Sequence, residues 1–336
     1  MRDLFTGFVW TLGFGLAALA CIAAGLWWYC LGVPGQSFDG PLPPLSETGQ
    51  VLAVRLKSHV QAIASVPHNT LHPEELEAAA RYIEGQLAAA GLKSRSLPYQ
   101  VEGQTVRNIE AVIEPGMSSP GTETLVIGAH YDSVSGGPGA NDNASGSAAV
   151  LELARLFAQN RPKIARIRFV LFVNEEQPYF STDQMGSLVY ARALAASGER
   201  IRAMLSLETL GFYSEAENSQ QYPWPLGYFL PSTANFVAFV GTLPNRALVH
   251  EVIGGFRRVA QIPSAGGVAP AVLDGIDWSD HWAFGEIGIP AIMVTDTAFF
   301  RYPYYHTVHD TPDKIDYERL ARVVEGLDGV VREIVR

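Results

Sequence analysis

The sequence predicts an α/β fold: a three-layer sandwich with a central mixed, mostly parallel, twisted sheet covered by helices, preceded by an N-terminal transmembrane helix. From about residue 49 onward, short runs rich in β-branched residues alternate with apolar residues at helical spacing, which favours parallel strands joined by helices. The chain of 336 residues is 48% hydrophobic, enough for one large α/β domain. A long uncharged stretch precedes that region.

The N-terminal stretch contains no charged residue at the 35 positions between Asp3 and Asp39. About 20 apolar residues cross the hydrocarbon core of a bilayer as a helix. Trp27, Trp28 and Tyr29 follow near its end, and such aromatics favour the headgroup level. We therefore predict an anchor over residues 1–34.

The orientation of this anchor follows from sparse positive charge. Arg2 precedes the apolar stretch and the next basic residue is Arg55, which favours a cytoplasmic N-terminus and an extracytoplasmic catalytic domain, periplasmic or extracellular. A cleaved signal peptide is the alternative, although its apolar region is normally shorter.

A short linker separates the anchor from the rest of the chain. Residues 35–48 include three prolines together with glycines and serines, a composition typical of an extended tether. We expect one folded domain over residues 49–336.

The domain is expected to alternate strands and helices. A helix over residues 73–90 has its start and stop signals, with glutamates in its first turns and Gly91 at its end. The remaining patterns predict strands at 108–114, 124–129, 166–173, 202–207 and 290–295, and helices at 145–159, 185–196, 243–260 and 312–335.

Composition excludes several function classes. The formal net charge is −10 without basic runs, so nucleic acid is an unexpected partner. The two cysteines, Cys21 and Cys30, both precede the domain, so any metal there must be bound by His, Asp or Glu. There is no Gly-x-Ser-x-Gly elbow and no His-Glu-x-x-His.

Acids and histidines follow the predicted strands. His130 and Asp132 come after the strand at 124–129, and Asp142 lies twelve residues beyond His130. The other positions of this kind are Glu175, Glu176, Glu208 and His306. Because the carboxyl ends of parallel strands meet at one edge, we expect these side chains to converge.

Imidazole and carboxylate ligands suit Zn²⁺. One carboxylate shared between two ions, plus one His and one acid for each, would give two water-bearing sites. Two ions about 3.5–4 Å apart can hold a hydroxide and polarise a carbonyl together. One glutamate of the Glu175–Glu176 pair would bind metal and leave the other for proton transfer.

The ordered set of motifs resembles the zinc exopeptidase family of bacterial leucyl-type aminopeptidases and glutamate carboxypeptidases. The motifs are His130-Tyr131-Asp132, Gly139 to Gly146, Glu175-Glu176, Glu208, Ser279-Asp280-His281 and His306-Thr307 with Asp310-Thr311. The resemblance covers roughly residue 51 to the C-terminus and implies a peptidase with two zinc ions per chain.

The resemblance also implies individual roles. His130 and Glu208 would bind one zinc, Glu176 and His306 the other, and Asp142 both. Glu175 would be the general base, and Asp132 would orient His130. A cis peptide bond would follow Asp142. Glu208 stands where the family often has Asp, and Tyr305 is a candidate donor to the developing oxyanion.

We expect an aminopeptidase acting on peptide or amino-acyl substrates. A carboxypeptidase, an amidohydrolase or a glutaminyl cyclase of the same fold are the alternatives, and a non-enzymatic receptor-type domain is a further one. A carboxypeptidase needs a cation for the substrate carboxylate, and Arg301 is the candidate that the sequence offers near the site. We expect His59, His68, His72 and His250 to be ordinary surface residues. The oligomeric state does not follow from the sequence.

Overall fold

An eight-stranded mixed sheet forms the centre of the protein in a computed structural model that describes residues 2–117 and 121–335, with the side chains of residues 2–14 and 16 outside the description. The strands are β1 Ser94–Val101, β2 Gln104–Ile113, β3 Thr124–His130, β4 Arg166–Phe172, β5 Ile201–Glu208, β6 Val237–Thr242, β7 Ser264–Ala269 and β8 Ala291–Thr295. The helices are α1 Arg2–Leu31, α2 Glu47–Ile63, α3 Pro73–Ala89, α4 Gly146–Gln159, α5 Gly186–Ala196, α6 Arg246–Val259, α7 His281–Glu286 and α8 Tyr317–Ile334.

The strand order is β1-β2-β4-β3-β5-β8-β6-β7. The four neighbours β4, β3, β5 and β8 run parallel, as do β6 and β7, whereas the β1–β2, β2–β4 and β8–β6 pairs are antiparallel. The carboxyl ends of the four central strands therefore lie at one edge of the sheet.

Helices cover both faces of the sheet. Helices α2, α3, α4, α6 and α8 bury apolar residues in one large core, to which Leu56, Ile83 and Val252 belong. Helices α5 and α7 pack on the opposite face around Leu188 and Phe284. The predicted three-layer α/β sandwich is confirmed.

Several elements were missing from the sequence-based prediction. These are α2, α7 and the strands β1, β6 and β7. Strand β1 forms one edge of the sheet, contains Pro98 and buries only Val101 of its eight residues, so it lacks the apolar alternation of a buried strand. Strand β7 reads Ser-Ala-Gly-Gly-Val-Ala, and its glycines weaken any strand signal.

Two histidines expected at the surface are buried, so that expectation was wrong. His59 lies within hydrogen-bonding distance of Glu152 (Nε2–Oε1 3.0 Å) and of the Tyr82 hydroxyl (Nδ1–Oη 2.9 Å). His68 is fully buried, with its Nδ1 2.9 Å from the carbonyl oxygen of Val66. Polar partners inside the fold make both burials possible.

The predicted anchor over residues 1–34 coincides largely with α1, but its first half falls on residues whose side chains are not described. Within the part of the chain that is described, no helix combines the length and the apolar character required to cross a bilayer.

Candidate metal centre

The site is assembled from the carboxyl ends of the central strands. His130 is the last residue of β3 and Glu208 the last of β5. Glu176 follows β4, His306 follows β8, and Asp142 lies in the turn that precedes α4. The sheet thus brings together all five side chains that the sequence suggested as ligands.

The five side chains form two groups that share Asp142. His130 Nε2 lies 3.2 Å from Asp142 Oδ1 and 3.4 Å from Glu208 Oε2. His306 Nε2 lies 3.0 Å from Asp142 Oδ2 and 3.3 Å from Glu176 Oε2. Within each group the candidate ligand atoms all lie within 4.8 Å of one another. The two oxygens of Asp142 therefore face two different sites.

Asp132 organises the region behind His130. Its backbone carbonyl oxygen lies 3.0 Å from His130 Nδ1, whereas its carboxylate is 3.6 Å away. That carboxylate instead accepts the backbone N–H groups of Glu175 (3.2 Å) and Glu176 (3.4 Å). Asp132 thus orients the imidazole through its main chain and the two glutamates through its side chain.

A turn places both glutamates at the site. Neighbouring residues of a strand point to opposite faces, but Asn174, directly before the pair, has a positive φ of 59°. The chain leaves the strand geometry there. Glu176 joins the His306 group, and Glu175 Oε2 lies 3.8 Å from His130 Nε2.

The turn carrying Asp142 is held by two buried acids whose contacts the sequence does not indicate. Asp310 accepts the backbone N–H groups of Asn141 (2.8 Å) and Asp142 (3.1 Å) and the hydroxyl of Tyr302 (2.6 Å). Asp296 accepts from the Asn141 amide at 2.9 Å. The peptide bond after Asp142 is cis, as the resemblance implied.

Glu208 has two side-chain donors of its own. Its Oε2 accepts from the Ser279 hydroxyl at 2.7 Å and from the Asn143 amide at 3.1 Å. Asn143 is buried, so its Asn-Ala-Ser sequence is inaccessible to glycosylation. The extra methylene of Glu relative to Asp does not keep Glu208 out of the cluster.

Burial and mutual repulsion disturb the ionisation of the carboxylates. Burial and the charge of Asp142 raise the pKa of Glu176 to about 7. The pKa of Glu208 also rises to about 7, because burial outweighs the opposing effect of His130. Burial likewise raises the pKa of Glu175 well above its ordinary value, with Glu208 and Glu176 adding to the effect.

Asp142 shows the opposite behaviour. Burial disfavours its charge, but hydrogen bonds with His130 and His306 outweigh burial and hold its pKa below the ordinary value. Burial lowers the pKa of His306, yet Asp142 and Glu176 together raise it to about 11. The cluster thus gathers more negative charge than two imidazolium groups can balance.

A divalent cation fits this donor set. Each group supplies one imidazole nitrogen and two carboxylates, the ligand types of zinc. The buried Glu176 Oε1 has no hydrogen-bond partner among the described residues, although buried polar atoms are normally paired. A bound cation would satisfy that oxygen and relieve the repulsion among the carboxylates.

A large apolar cavity opens beside the cluster. It is partly open to solvent and is lined by Asp142, Glu175 and Glu208 at one end. Phe299, Tyr305 and side chains from the segments around residues 222–230, 236–240, 265–269 and 273–278 form most of the remaining wall. None of the residues lining this cavity in the described part of the chain is Lys or Arg.

Arg301, the cation that the sequence offered for a substrate carboxylate, and two further histidines lie outside the ligand groups. The Arg301 guanidinium is buried, donating to Gln220 Oε1 and to the carbonyl of Phe236 and lying over the Phe236 ring. His281 is buried against the carbonyl of Ile276. His309 is exposed and outside both groups, whereas Tyr305 lines the cavity and stacks on His306, with ring centroids 3.8 Å apart.

Comparison with known proteins places these features in a family. Residues 108–330 match the model of Peptidase family M28. An uncharacterized protein of Escherichia coli K12, YfbL, is 36% identical over 77% of this chain and 82% of its own length. A probable leucine aminopeptidase of Arthroderma otae is 29% identical over 64% of this chain, which spans 55% of that relative.

Solved structures show the same fold. The aminopeptidase from Aneurinibacillus sp. strain AM-1 matches with a TM-score of 0.64 at 18% identity, over 84% of this chain and 94% of that one. A glutaminyl cyclase from Fimbriiglobus ruber matches with a TM-score of 0.61 at 20% identity, over 88% of this chain and 97% of that one.

Proposed function

Because this chain belongs to peptidase family M28 and is a zinc metallopeptidase, we propose that it is an aminopeptidase that uses two metal ions. The observation that carries the proposal is the pair of ligand groups sharing Asp142. His130 and Glu208 would hold one ion, and Glu176 and His306 the other. A carboxylate with one oxygen facing each group suits a pair of ions rather than a single ion.

Zinc at this centre supplies Lewis acidity that activates a water molecule and polarises the scissile carbonyl. Glu175 takes a proton from the attacking water and delivers it to the leaving amine nitrogen. Asp132 holds the backbone of Glu175 for that task. The Tyr305 hydroxyl, at the cavity wall, donates to the oxygen that gains negative charge.

The charge of the cavity favours substrates with a free N-terminus. Its acidic end attracts an ammonium group, whereas a substrate carboxylate would find no Lys or Arg among the lining residues described. Arg301, the candidate for a carboxypeptidase, is occupied by Gln220 and Phe236. These contacts support aminopeptidase activity over carboxypeptidase activity.

A substrate panel tests the direction of cleavage. Leucine amide, N-acetyl-leucine amide, an N-blocked peptide with a free C-terminus and a peptide beginning with Gln are each incubated with zinc-loaded protein. We expect hydrolysis of leucine amide and loss of turnover on N-acetylation. Cleavage of the N-blocked peptide, or ring closure of the Gln peptide without hydrolysis of leucine amide, would contradict the proposal.

We further propose that residues 1–34 anchor the chain in a membrane with the catalytic domain on the extracytoplasmic side. The support is the uncharged N-terminal stretch and its terminal aromatics. Membrane fractionation followed by protease treatment of intact cells tests this. A soluble product, or a domain protected from external protease until the inner compartment is opened, would contradict it.

A further inference from the structure

Exposed aromatic side chains are unevenly distributed over the surface. In the part of the chain whose side chains are described, every exposed Trp, Tyr or Phe lies in one of two places. One is the end of α1. The other is the set of segments that enclose the cavity, where Trp224 is 84% exposed and Tyr228 80%. Scattered exposed apolar residues are ordinary, but a contiguous group indicates an interaction surface.

The second group alternates in sequence with residues that line the cavity. Trp224, Tyr228 and Phe229 share one irregular segment with Pro223, Leu226 and Leu230, which line the cavity wall. Val272, 89% exposed, precedes the lining residue Leu273. We call Trp224, Tyr228, Phe229 and Val272 the apolar rim. Its side chains are exposed to solvent, while their neighbours in sequence line the cavity that has Asp142, Glu175 and Glu208 at one end.

The end of α1 reaches the same cavity. Leu31 lines it, and Gly267 on β7 has no space for a Cβ because the carbonyl oxygen of Cys30 lies against it. Arg246 donates to the carbonyl of Tyr29 at 2.9 Å, and its guanidinium lies about 5 Å from the centroid of the Trp28 ring. These contacts fix the end of the helix beside the cavity.

The charge of the segments that carry the apolar rim indicates which kind of partner the rim contacts. The segments 222–230 and 270–278, which carry the apolar rim, contain no Lys or Arg, and their charged residues are Asp274 and Asp277. These two segments therefore provide no attraction to anionic headgroups. Trp and Tyr favour the interface of a bilayer, and the aromatics at the end of α1 have the same character. The apolar rim therefore suits a lipid interface that it enters by burying apolar side chains, without attraction between charges.

We propose that the apolar rim lies in the interface of a lipid bilayer, so that the cavity opens towards that surface. It follows, resting on the proposed function, that the substrates include amphiphilic amino-acyl amides or peptides whose apolar chain occupies the cavity while the amide lies at the metal centre. The cavity wall is mostly apolar, and its acidic residues lie at the end next to the metal centre, which suits a substrate with an apolar chain and a polar amide end.

The lipid contact is tested without any enzymatic readout. The full chain, with Cys21→Ser and Cys30→Ser, carries a single added cysteine at Tyr228 or at the control position Ile164, labelled with the environment-sensitive fluorophore NBD. The label is read in vesicles of zwitterionic phosphatidylcholine. Ile164 is also exposed but lies outside the segments that line the cavity.

We expect a blue-shifted emission that is quenched by nitroxide-labelled lipid at position 228 and a water-like emission at position 164, both unchanged by high salt. Water-like emission at both positions, or a chain that does not associate with the vesicles, would overturn the proposal. A shift at position 228 that requires anionic lipid would also overturn it.

The substrate class is tested with leucine dodecylamide in vesicles and with leucine amide in solution. The double variant Trp224→Ser/Tyr228→Ser is compared with the matched control Val54→Ser/Ile164→Ser. We expect the rim variant to hydrolyse the vesicle-borne amide at least about tenfold more slowly, because apolar contact with lipid is lost, and leucine amide at the normal rate. Equal rates for both variants on both substrates would refute the inference. No hydrolysis of either amide by the parent protein would instead refute the proposed function.

Discussion

Replacement of Asp310 by Asn tests whether the turn carrying Asp142 is positioned by a remote carboxylate. The Asp310 carboxylate is 2% exposed and accepts three hydrogen bonds, two of them from the backbone N–H groups of Asn141 and Asp142. Asn retains one acceptor oxygen, but its NH₂ group would face a backbone N–H. One buried donor therefore loses its partner, and the remaining bonds lose their charge assistance.

The magnitude follows from these contacts. Loss of one hydrogen bond to a charged group costs about 1.5–3 kcal/mol, and a charge-assisted bond is roughly twice as strong as a neutral one. We expect Asp310→Asn to lower the free energy of unfolding by about 2–4 kcal/mol. Because outer partners of a ligand affect metal binding, zinc affinity should fall about 10–100-fold.

Two assays and one control decide the outcome. Urea unfolding gives the stability of the metal-free protein, and competition with a chromophoric chelator gives zinc affinity. The control is Asp313→Asn in the same loop, because Asp313 is exposed and contacts Thr311 and Lys314. If Asp310→Asn loses stability but keeps its zinc affinity, Asp310 does not place Asp142 for metal binding. If Asp310→Asn and Asp313→Asn have the same free energy of unfolding, the hydrogen-bond argument is refuted.

Three further predictions follow from individual contacts. Glu175→Gln should bind zinc normally, as measured by metal analysis, yet lose about 10²–10⁴-fold in turnover; near-normal turnover would remove Glu175 as the base. Gly146→Ala should be destabilised by about 1–3 kcal/mol or more in urea unfolding, because its Cβ would overlap the carbonyl oxygen of Leu207; wild-type stability would contradict that packing. The pKa of Glu199 is held at about 2, since bonds from Arg168 and others outweigh burial. That stabilisation should be complete above the unfolded value of 4.5 and disappear as the pH falls from 4.5 through 2; a Glu199→Gln variant with an unchanged acid-unfolding midpoint would rule it out.

Much of the fold was predictable because its central strands are buried on both faces. The runs that became β3, β4, β5 and β8 are predominantly apolar, and each is followed by a helix signal or a polar cluster. The edge strand β1 and the glycine-rich β7 lack such a signal, since their pairing comes from neighbours distant in sequence. Strand β6 pairs with β7 and β8, and the local sequence pattern of β6 does not indicate that pairing.

The candidate ligands were predictable for a related reason. Chemically distinctive residues that follow parallel strands must meet at one edge of the sheet, and the ordered motifs matched a known family. The residues that hold those ligands were harder to find. Ser279 and Asn143 bind Glu208, and Asp310 binds the turn of Asp142. All three lie within the family motifs, but the sequence does not indicate which group each of them contacts. Their roles depend on contacts between segments 65 or more residues apart, which no local pattern encodes.

The number of zinc ions bound by each chain tests the central claim most directly. Metal analysis of the purified, zinc-equilibrated protein should give two ions per chain, one ion for either His130→Ala or His306→Ala, and a sharp loss of both for Asp142→Ala. A single ion in the parent protein that is lost completely in one histidine variant and unaffected in the other would contradict the paired centre.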